Sequence, residues 1–277
     1  MKKQLNLYGE VVKRNLQHHE AKSYTGIYAM HKYWSKKPSN VIRTLILKYS
    51  KEEDVVLDPF CGSGVSIAEA ILMGRKAMGI DINPSAIFIT RQLLEKISTK
   101  KMERTFHDLS KDLKGGINSL YMVKRGGKKH VGTHYIWNEG ELKEVWYKDA
   151  VSRRKLVDQP LKSDLKLARR FSHDQIDTEY PEVNFFENSR INASRDRGVK
   201  DLFTPRNLKA LSWLMERIEG IQDDSMRNTF KFCFTGAIGQ ASNMVFVVRK
   251  RGKHNSCKKS DRTEVGSWVI GYWQPEE

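Results

Sequence analysis

The stretch from Val55 to Pro84 constrains the fold more than any other part of the chain. A short run, "VVLD", stops on an acid, passes through Pro59 and Phe60, and enters "CGSG", where two glycines stand one residue apart. An apolar stretch follows to Leu72, and a second run, Lys76 to Ile80, closes on Asp81 before "INP". Strand, helix, strand, helix at such short spacing implies parallel strands joined by crossover helices. The spacing predicts a strand over 55–58, a helix over 63–72 and a strand over 76–80. Asn83 and Pro84 suit the cap and first position of another helix. Upstream, Pro38 to Tyr49 carries Val41, Ile42, Leu45 and Ile46 at helical spacing.

Beyond residue 100 the pattern changes. Residues 115–155 predict an inserted hairpin, with "THYIW" and "ELKEVWY" as strands and a turn at Asn138, Glu139 and Gly140. Residues 152–200 are polar and charged and predict loops, with a helix near Leu161–Phe171. Thr204 and Pro205 open a helix that Gly220 closes, and a Phe-rich helix spans 225–239. "NMVFVVRK" and "SWVIGYW" predict closing strands. The expected division is 1–110 as a ligand-binding part, 111–200 as an inserted basic region, and 201–277 as helices and strands returning to or leading into the first part.

Charge narrows the partners. With 49 Lys and Arg against 33 Asp and Glu, the chain carries a formal charge of +16, which favours polyanions through counterion release. The charge is clustered in "VKRGGKK", "SRRK", "KLARR" and "RKRGKHNSCKK". Arg153, Arg154, Arg169, Arg170, Arg249 and Arg251 are the expected phosphate contacts, and nucleic acid is the expected partner. No apolar run approaches the ~20 residues that span a bilayer, and the N-terminus does not read as a signal peptide. Three scattered cysteines fit a reducing cytoplasm.

Ligands of parallel sheets bind at the carboxyl ends of the strands. Gly62 and Gly64 let the backbone approach a ligand, and the following helix start favours negative charge. Asp58 suits an ammonium, Asp81 a pair of ribose hydroxyls, and Ile82 the face of a purine. Dinucleotides and S-adenosylmethionine both fit this description. A dinucleotide site needs a third glycine where Ile67 stands, so the expected cofactor is S-adenosylmethionine, and a dehydrogenase is remote.

These residues resemble the amino-group DNA methyltransferases, which methylate adenine N6 or cytosine N4. "DPFCGSG" is similar to the family's cofactor motif, "GIDINPSA" to its acidic motif, and "HKYWSKKPSNVI" to its Lys-Pro segment. The resemblance implies a Rossmann-like α/β methyltransferase sheet and a cofactor site of Lys37, Pro38, Asp58, Pro59, Phe60, Gly62, Gly64, Asp81, Ile82 and Asn83. It also implies double-stranded DNA as substrate, in DNA methylation of the restriction-modification kind. The family's catalytic Asp/Asn/Ser-Pro-Pro-Tyr has no counterpart, because the seven prolines are all isolated, and no catalytic residue is assigned. Three readings stay open: a fragment, one subunit of a split enzyme whose second chain carries that motif, or an inactive protein that binds DNA or cofactor. Relatives place two Cys-x-x-Cys knuckles beside an aromatic hairpin as a zinc ribbon. Here the flanks hold no Cys, and His130 and His134 are too few to hold zinc, so no metal is expected.

Overall fold

The β-branched run Val55–Asp58 becomes a strand that ends on its acid, Lys76–Gly79 becomes the strand beside it, and the stretch that follows each becomes a helix. The computed structural model describes residues 24–33, 35–138, 141–149, 152, 154–187, 194–243 and 275–276. In chain order the elements are α1 (Ser39–Tyr49), β1 (Val55–Asp58), α2 (Val65–Leu72), β2 (Lys76–Gly79), α3 (Pro84–Leu94), α4 (Thr99–Leu120), β3 (Met122–Arg125), β4 (Lys128–Asn138), β5 (Glu141–Lys148), β6 (Lys155–Asp158), α5 (Lys162–Ala168), α6 (Pro205–Glu219), α7 (Asp224–Ala237) and β7 (Pro275–Glu276). The chain is mixed α/β and falls into two units. One comprises Met1–Ser98 and Asp224–Gly236, the other Thr99–Asp223 and Ala237–Glu277.

In the first unit β1 and β2 pair in parallel, Val55 with Lys76 through Asp58 with Gly79, and α2 is the crossover. Alanine at 68 and 70 lets α2 lie close to the strands, and both residues are buried. Val56 and Ala77 face inward on Ile46, Ala70 and Met73. The alternate residues Val55, Leu57 and Met78 point the other way and are each more than half exposed. A carboxylate is buried behind α2. Glu69 has no exposed surface; Arg43 donates to both its oxygens at 2.7 and 3.2 Å, and the Tyr28 hydroxyl donates to Oε1 at 2.7 Å. A buried charge is tolerated when paired and hydrogen-bonded in this way. α1 begins one residue later than predicted, with Pro38 as its extended N-cap. α2 begins at Val65, because Gly64 holds φ +76°, a left-handed conformation outside any helix.

The second unit is built on an antiparallel sheet of order β3-β4-β5-β6, with β7 against β4. The predicted hairpin is its middle pair, from Gly132↔Tyr147 to Asn138↔Glu141. Its core holds Leu120, Tyr121, Val123, Tyr135, Leu142, Val145 and Tyr147. Arg206 on α6 is fully buried in it, stacked 4.0 Å from the Tyr135 ring centroid and 4.8 Å from that of Tyr121. The Tyr135 hydroxyl donates to the Tyr121 carbonyl at 2.9 Å. Arg125 ties β6 to α5 through Asp158 at 3.0 Å and Asp164 at 2.7 Å. Thr204 caps α6 by accepting from the Asn207 N–H, with Pro205 at its first position, as the sequence predicts. The 22-residue α4 is not anticipated by the sequence reading, which breaks the pattern at residue 100. The turn residues 139 and 140, the closing strand expected over 243–250 apart from Asn243, and the one expected over 267–273 lie outside the described residues.

Candidate functional site

The loop between β1 and α2 is held by the two acids that the sequence picks out. Asp58 ends β1; its Oδ1 accepts from the Phe60 N–H at 3.0 Å, and its Oδ2 accepts from the Ser66 hydroxyl. Asp81, just past β2, accepts from the Gly62 N–H at 2.8 Å with Oδ2 and from the Asn83 N–H at 2.9 Å with Oδ1. The Cys61 N–H donates to the Ile80 carbonyl and the Ile80 N–H to the Asp58 carbonyl, both at 2.9 Å. Burial pushes the Cys61 thiol pKa up, and the charges of Asp81 and Asp58 push it further. The two acids therefore converge on one loop. Each acid takes one backbone N–H of the loop, from Phe60 or Gly62, and one donor beyond it, the Ser66 hydroxyl of α2 or the Asn83 N–H that precedes α3. Each oxygen therefore keeps a lone pair, since an ionised carboxylate offers about four acceptor sites.

Gly62 and Gly64 hold φ +52° and +76°. A Cβ at Gly62 would lie 3.2 Å from the Tyr33 ring, and one at Gly64 would lie 2.6 Å from both Cγ2 and Oγ1 of Thr90. Thr90 donates its hydroxyl to the Gly62 carbonyl at 3.1 Å. The loop is thus walled by Tyr33 on one side and Thr90 on the other. Phe60 is 86% exposed and Ile82 100% exposed, so two apolar side chains stand in solvent beside the acids. Pro59 lies in the turn between them and β1. Asn83 accepts from the Ser85 N–H at 3.0 Å and so caps α3.

The Lys-Pro segment is arranged differently from its neighbours in sequence. Lys37 is exposed, whereas Lys36 is buried and donates to the carbonyls of Tyr28 at 2.8 Å and His31 at 2.6 Å. Desolvation lowers its pKa. A cavity of about 500 Å³ opens here between Tyr24, Tyr28, His31, Tyr33 and Lys36. Tyr33, Lys36, Ser66 and Thr90 are the site residues that the sequence reading missed. The quoted "HKYWSKKP" contains the first two, but nothing in it distinguishes an inward lysine from an outward one.

Of the expected phosphate contacts, Arg154 lies exposed just before β6, and Arg169 and Arg170 are exposed at the end of α5. Arg170 also stacks 5.4 Å from the Phe171 ring centroid. Arg153, Arg249 and Arg251 lie outside the described residues. Trp146 is buried beneath His134 and Lys155, the latter 3.4 Å from its ring centroid, so it packs within the sheet. Among the described residues no three His, Cys, Asp or Glu side chains gather around a common point. No helix among them is long and apolar enough to cross a membrane.

Comparison with known proteins finds similarity in the part of the chain that holds the loop. The sequence model of the DNA methylase family matches residues 2–92. Type II methyltransferase M2.LlaDCHI of Lactococcus lactis is 38% identical over 68 residues, 24% of this chain and 25% of its own length. Type II methyltransferase M2.DpnII of Streptococcus pneumoniae is 39% identical over 64 residues, 23% of this chain and 24% of its own. DNA adenine methyltransferase YhdJ of Escherichia coli is 45% identical over 53 residues, 19% of this chain and 18% of its own. The chain therefore spans about a quarter or less of these relatives' length. No solved structure matches it. Residues 2–92 are thus similar to the DNA methylase family, and the relatives they match are named methyltransferases.

Proposed function

We propose that the β1–α2 loop holds S-adenosylmethionine and that the chain takes part in methyl transfer to an exocyclic amino group of double-stranded DNA, adenine N6 or cytosine N4. The observation that carries this reading is the convergence of Asp58 and Asp81 on a loop bared by two left-handed glycines. In it, Asp81 receives the ribose hydroxyls with its remaining lone pairs, Ile82 lies on the adenine, and Asn83 fixes the turn behind it. Asp58, Pro59, Phe60, Gly62 and Gly64 border the methionine end, and Lys37 and Pro38 close over it. The cofactor supplies an activated methyl group. The protein supplies its position, which is most of what in-line transfer requires.

In the same reading β1 and β2 are the core of a Rossmann-like sheet, with 111–200 inserted as a basic recognition region. The apolar face of Val55, Leu57 and Met78 supports a sheet that further strands and a helix complete. The acceptor's amino group needs an Asp/Asn/Ser-Pro-Pro-Tyr, which these 277 residues do not contain. A further stretch of polypeptide, on the same chain or a second one, brings it. The absence of Pro-Pro also favours a second reading, a protein that binds DNA or cofactor without transferring methyl groups.

Isothermal titration with S-adenosylmethionine tests the cofactor. Asp81→Ala is expected to weaken binding by about 1.5–3 kcal/mol, the worth of hydrogen bonds to a charged group; unchanged affinity removes Asp81 from the site. A methylation assay with and without a chain carrying Pro-Pro-Tyr separates the two readings. Activity only in the mixture supports the split enzyme, and cofactor binding with no activity in either supports the inactive protein.

A further inference from the structure

The long helix α4 carries a charge pattern that the sequence reading passed over. Lys100, Arg104, His107, Lys111 and Lys114 recur at intervals of four, three, four and three, which places them along one face of a helix. All five are exposed. The stripe runs about 21 Å along the axis at 1.5 Å per residue. The opposite side carries Leu109 and Leu120, both buried, and Ile117, which packs on the sheet core. Among the described residues no ion pair engages Lys100, Arg104, Lys111 or Lys114. Asp112, to one side, is taken by Arg217 of α6. Past its middle the stripe borders a concavity of about 450 Å³ that includes His107, Lys111, Lys114, Gly115 and Asn118.

A solvated helix face usually alternates its charges, because like charges three or four residues apart destabilise the helix by about 0.2–0.5 kcal/mol per pair. Here Lys100 with Arg104, and Lys111 with Lys114, stand as like-charged neighbours; Glu103 and Asp108 flank the stripe, but among the described residues neither forms an ion pair with any of these four cations. A polyanion laid along the face relieves that repulsion. The apolar side of α4 is already used inside its unit, so none remains for acyl chains, which an interfacial helix must bury. We propose that the Lys100–Lys114 face of α4 is a phosphate-backbone grip for duplex DNA. Phosphates of one strand lie 3.4 Å apart along the duplex axis, so about 21 Å of helix spans about six of them and presents four fixed cations. The inference rests on the proposed function only in taking DNA as the polyanion.

The test is fluorescence anisotropy with a random-sequence DNA duplex across a salt series, without cofactor. The triple variant Arg104→Gln/Lys111→Gln/Lys114→Gln is compared with Lys48→Gln/Lys51→Gln/Lys96→Gln, which removes equal charge from exposed positions of the first unit. The α4 variant is expected to bind about tenfold more weakly or worse at low salt, and to lower the slope of log K against log salt by about 2–3. The control is expected to keep the slope of the unaltered protein. Equal effects from the two triples, or an unchanged slope in the α4 variant, overturns the proposal. All six positions are exposed, and matching thermal unfolding curves confirm that each variant is folded. Failure to bind S-adenosylmethionine in the calorimeter sinks the proposed function and leaves this result standing, and the converse also holds.

Discussion

Gly64→Ala is the most exacting test of the loop. Holding an L-residue at φ +76° costs about 1–2 kcal/mol. The added methyl would also lie 2.6 Å from both Cγ2 and Oγ1 of Thr90 and 2.9 Å from its Cβ. Relief requires Thr90 to move, which breaks its hydrogen bond to the Gly62 carbonyl, and overpacking of this kind costs about 1–3 kcal/mol. The expected loss is therefore about 2–5 kcal/mol. Thr90→Ala alone is expected to cost about 1 kcal/mol, the net worth of one hydrogen bond. In the double variant the two atoms at 2.6 Å are gone and only Cβ still crowds, so the losses should fall short of additive by about 1–2 kcal/mol. Chemical denaturation with hydrogen exchange read over residues 55–94 measures each corner of the cycle. A Gly64→Ala cost below about 1 kcal/mol, or strictly additive losses, refutes the close approach of Thr90 to the loop.

Two further expectations concern buried polar groups. Glu69→Ala leaves Arg43 and the Tyr28 hydroxyl without their shared acceptor, and should cost about 3–5 kcal/mol in thermal or chemical unfolding, toward the lower end because Arg43 is partly exposed; a loss below about 1 kcal/mol contradicts the pairing. Burial raises the Tyr135 pKa to about 12, and burial also raises those of Tyr28 and Tyr121, the Glu69 hydrogen bond adding to the effect at Tyr28. Because the folded state holds these protons more tightly than the unfolded chain, whose tyrosines titrate near about 10, their contribution is intact below that pH. It drains away as pH rises toward and past about 12 for Tyr135. Tyrosinate absorbance should show a late fraction that appears together with unfolding, and a single smooth titration near pH 10 in folded protein contradicts it.

The parallel pair was legible because local chemistry alone fixes it. β-branched residues, a terminal acid and a left-handed glycine leave Val55–Asp81 few alternatives, and Asn83-Pro84 announces its helix by capping chemistry that needs no tertiary partner. The helix α4 was not legible, since Gly115 and Gly116 interrupt its propensity and polar residues dilute the stripe of Leu109, Leu113, Ile117 and Leu120. Tertiary packing on the sheet overrides both. The helix α6 was legible from its cap, but the burial of Arg206 against the Tyr121 and Tyr135 rings, and of Asn207 against the Tyr121 hydroxyl, is something no hydrophobic period announces. In the site, the acids were visible as residue types at strand ends, but the work they do in the loop was not. Which backbone N–H each oxygen accepts depends on where Gly62 and Asn83 fall in space, and the same applies to Lys36 turning inward while Lys37 turns out.

The face carrying Val55, Leu57 and Met78 bears on how the protein behaves in concentrated solution. Among the described residues it belongs to a two-stranded ribbon, apolar on one side, and wherever the margins of such a ribbon stay unpaired they invite sideways addition of strands from other molecules. Lys76, opposite Val55 on that same surface, is the charge standing in the way. Colloidal behaviour of the purified chain should therefore track salt closely, because the ions that screen Lys76 also lift the barrier to self-association.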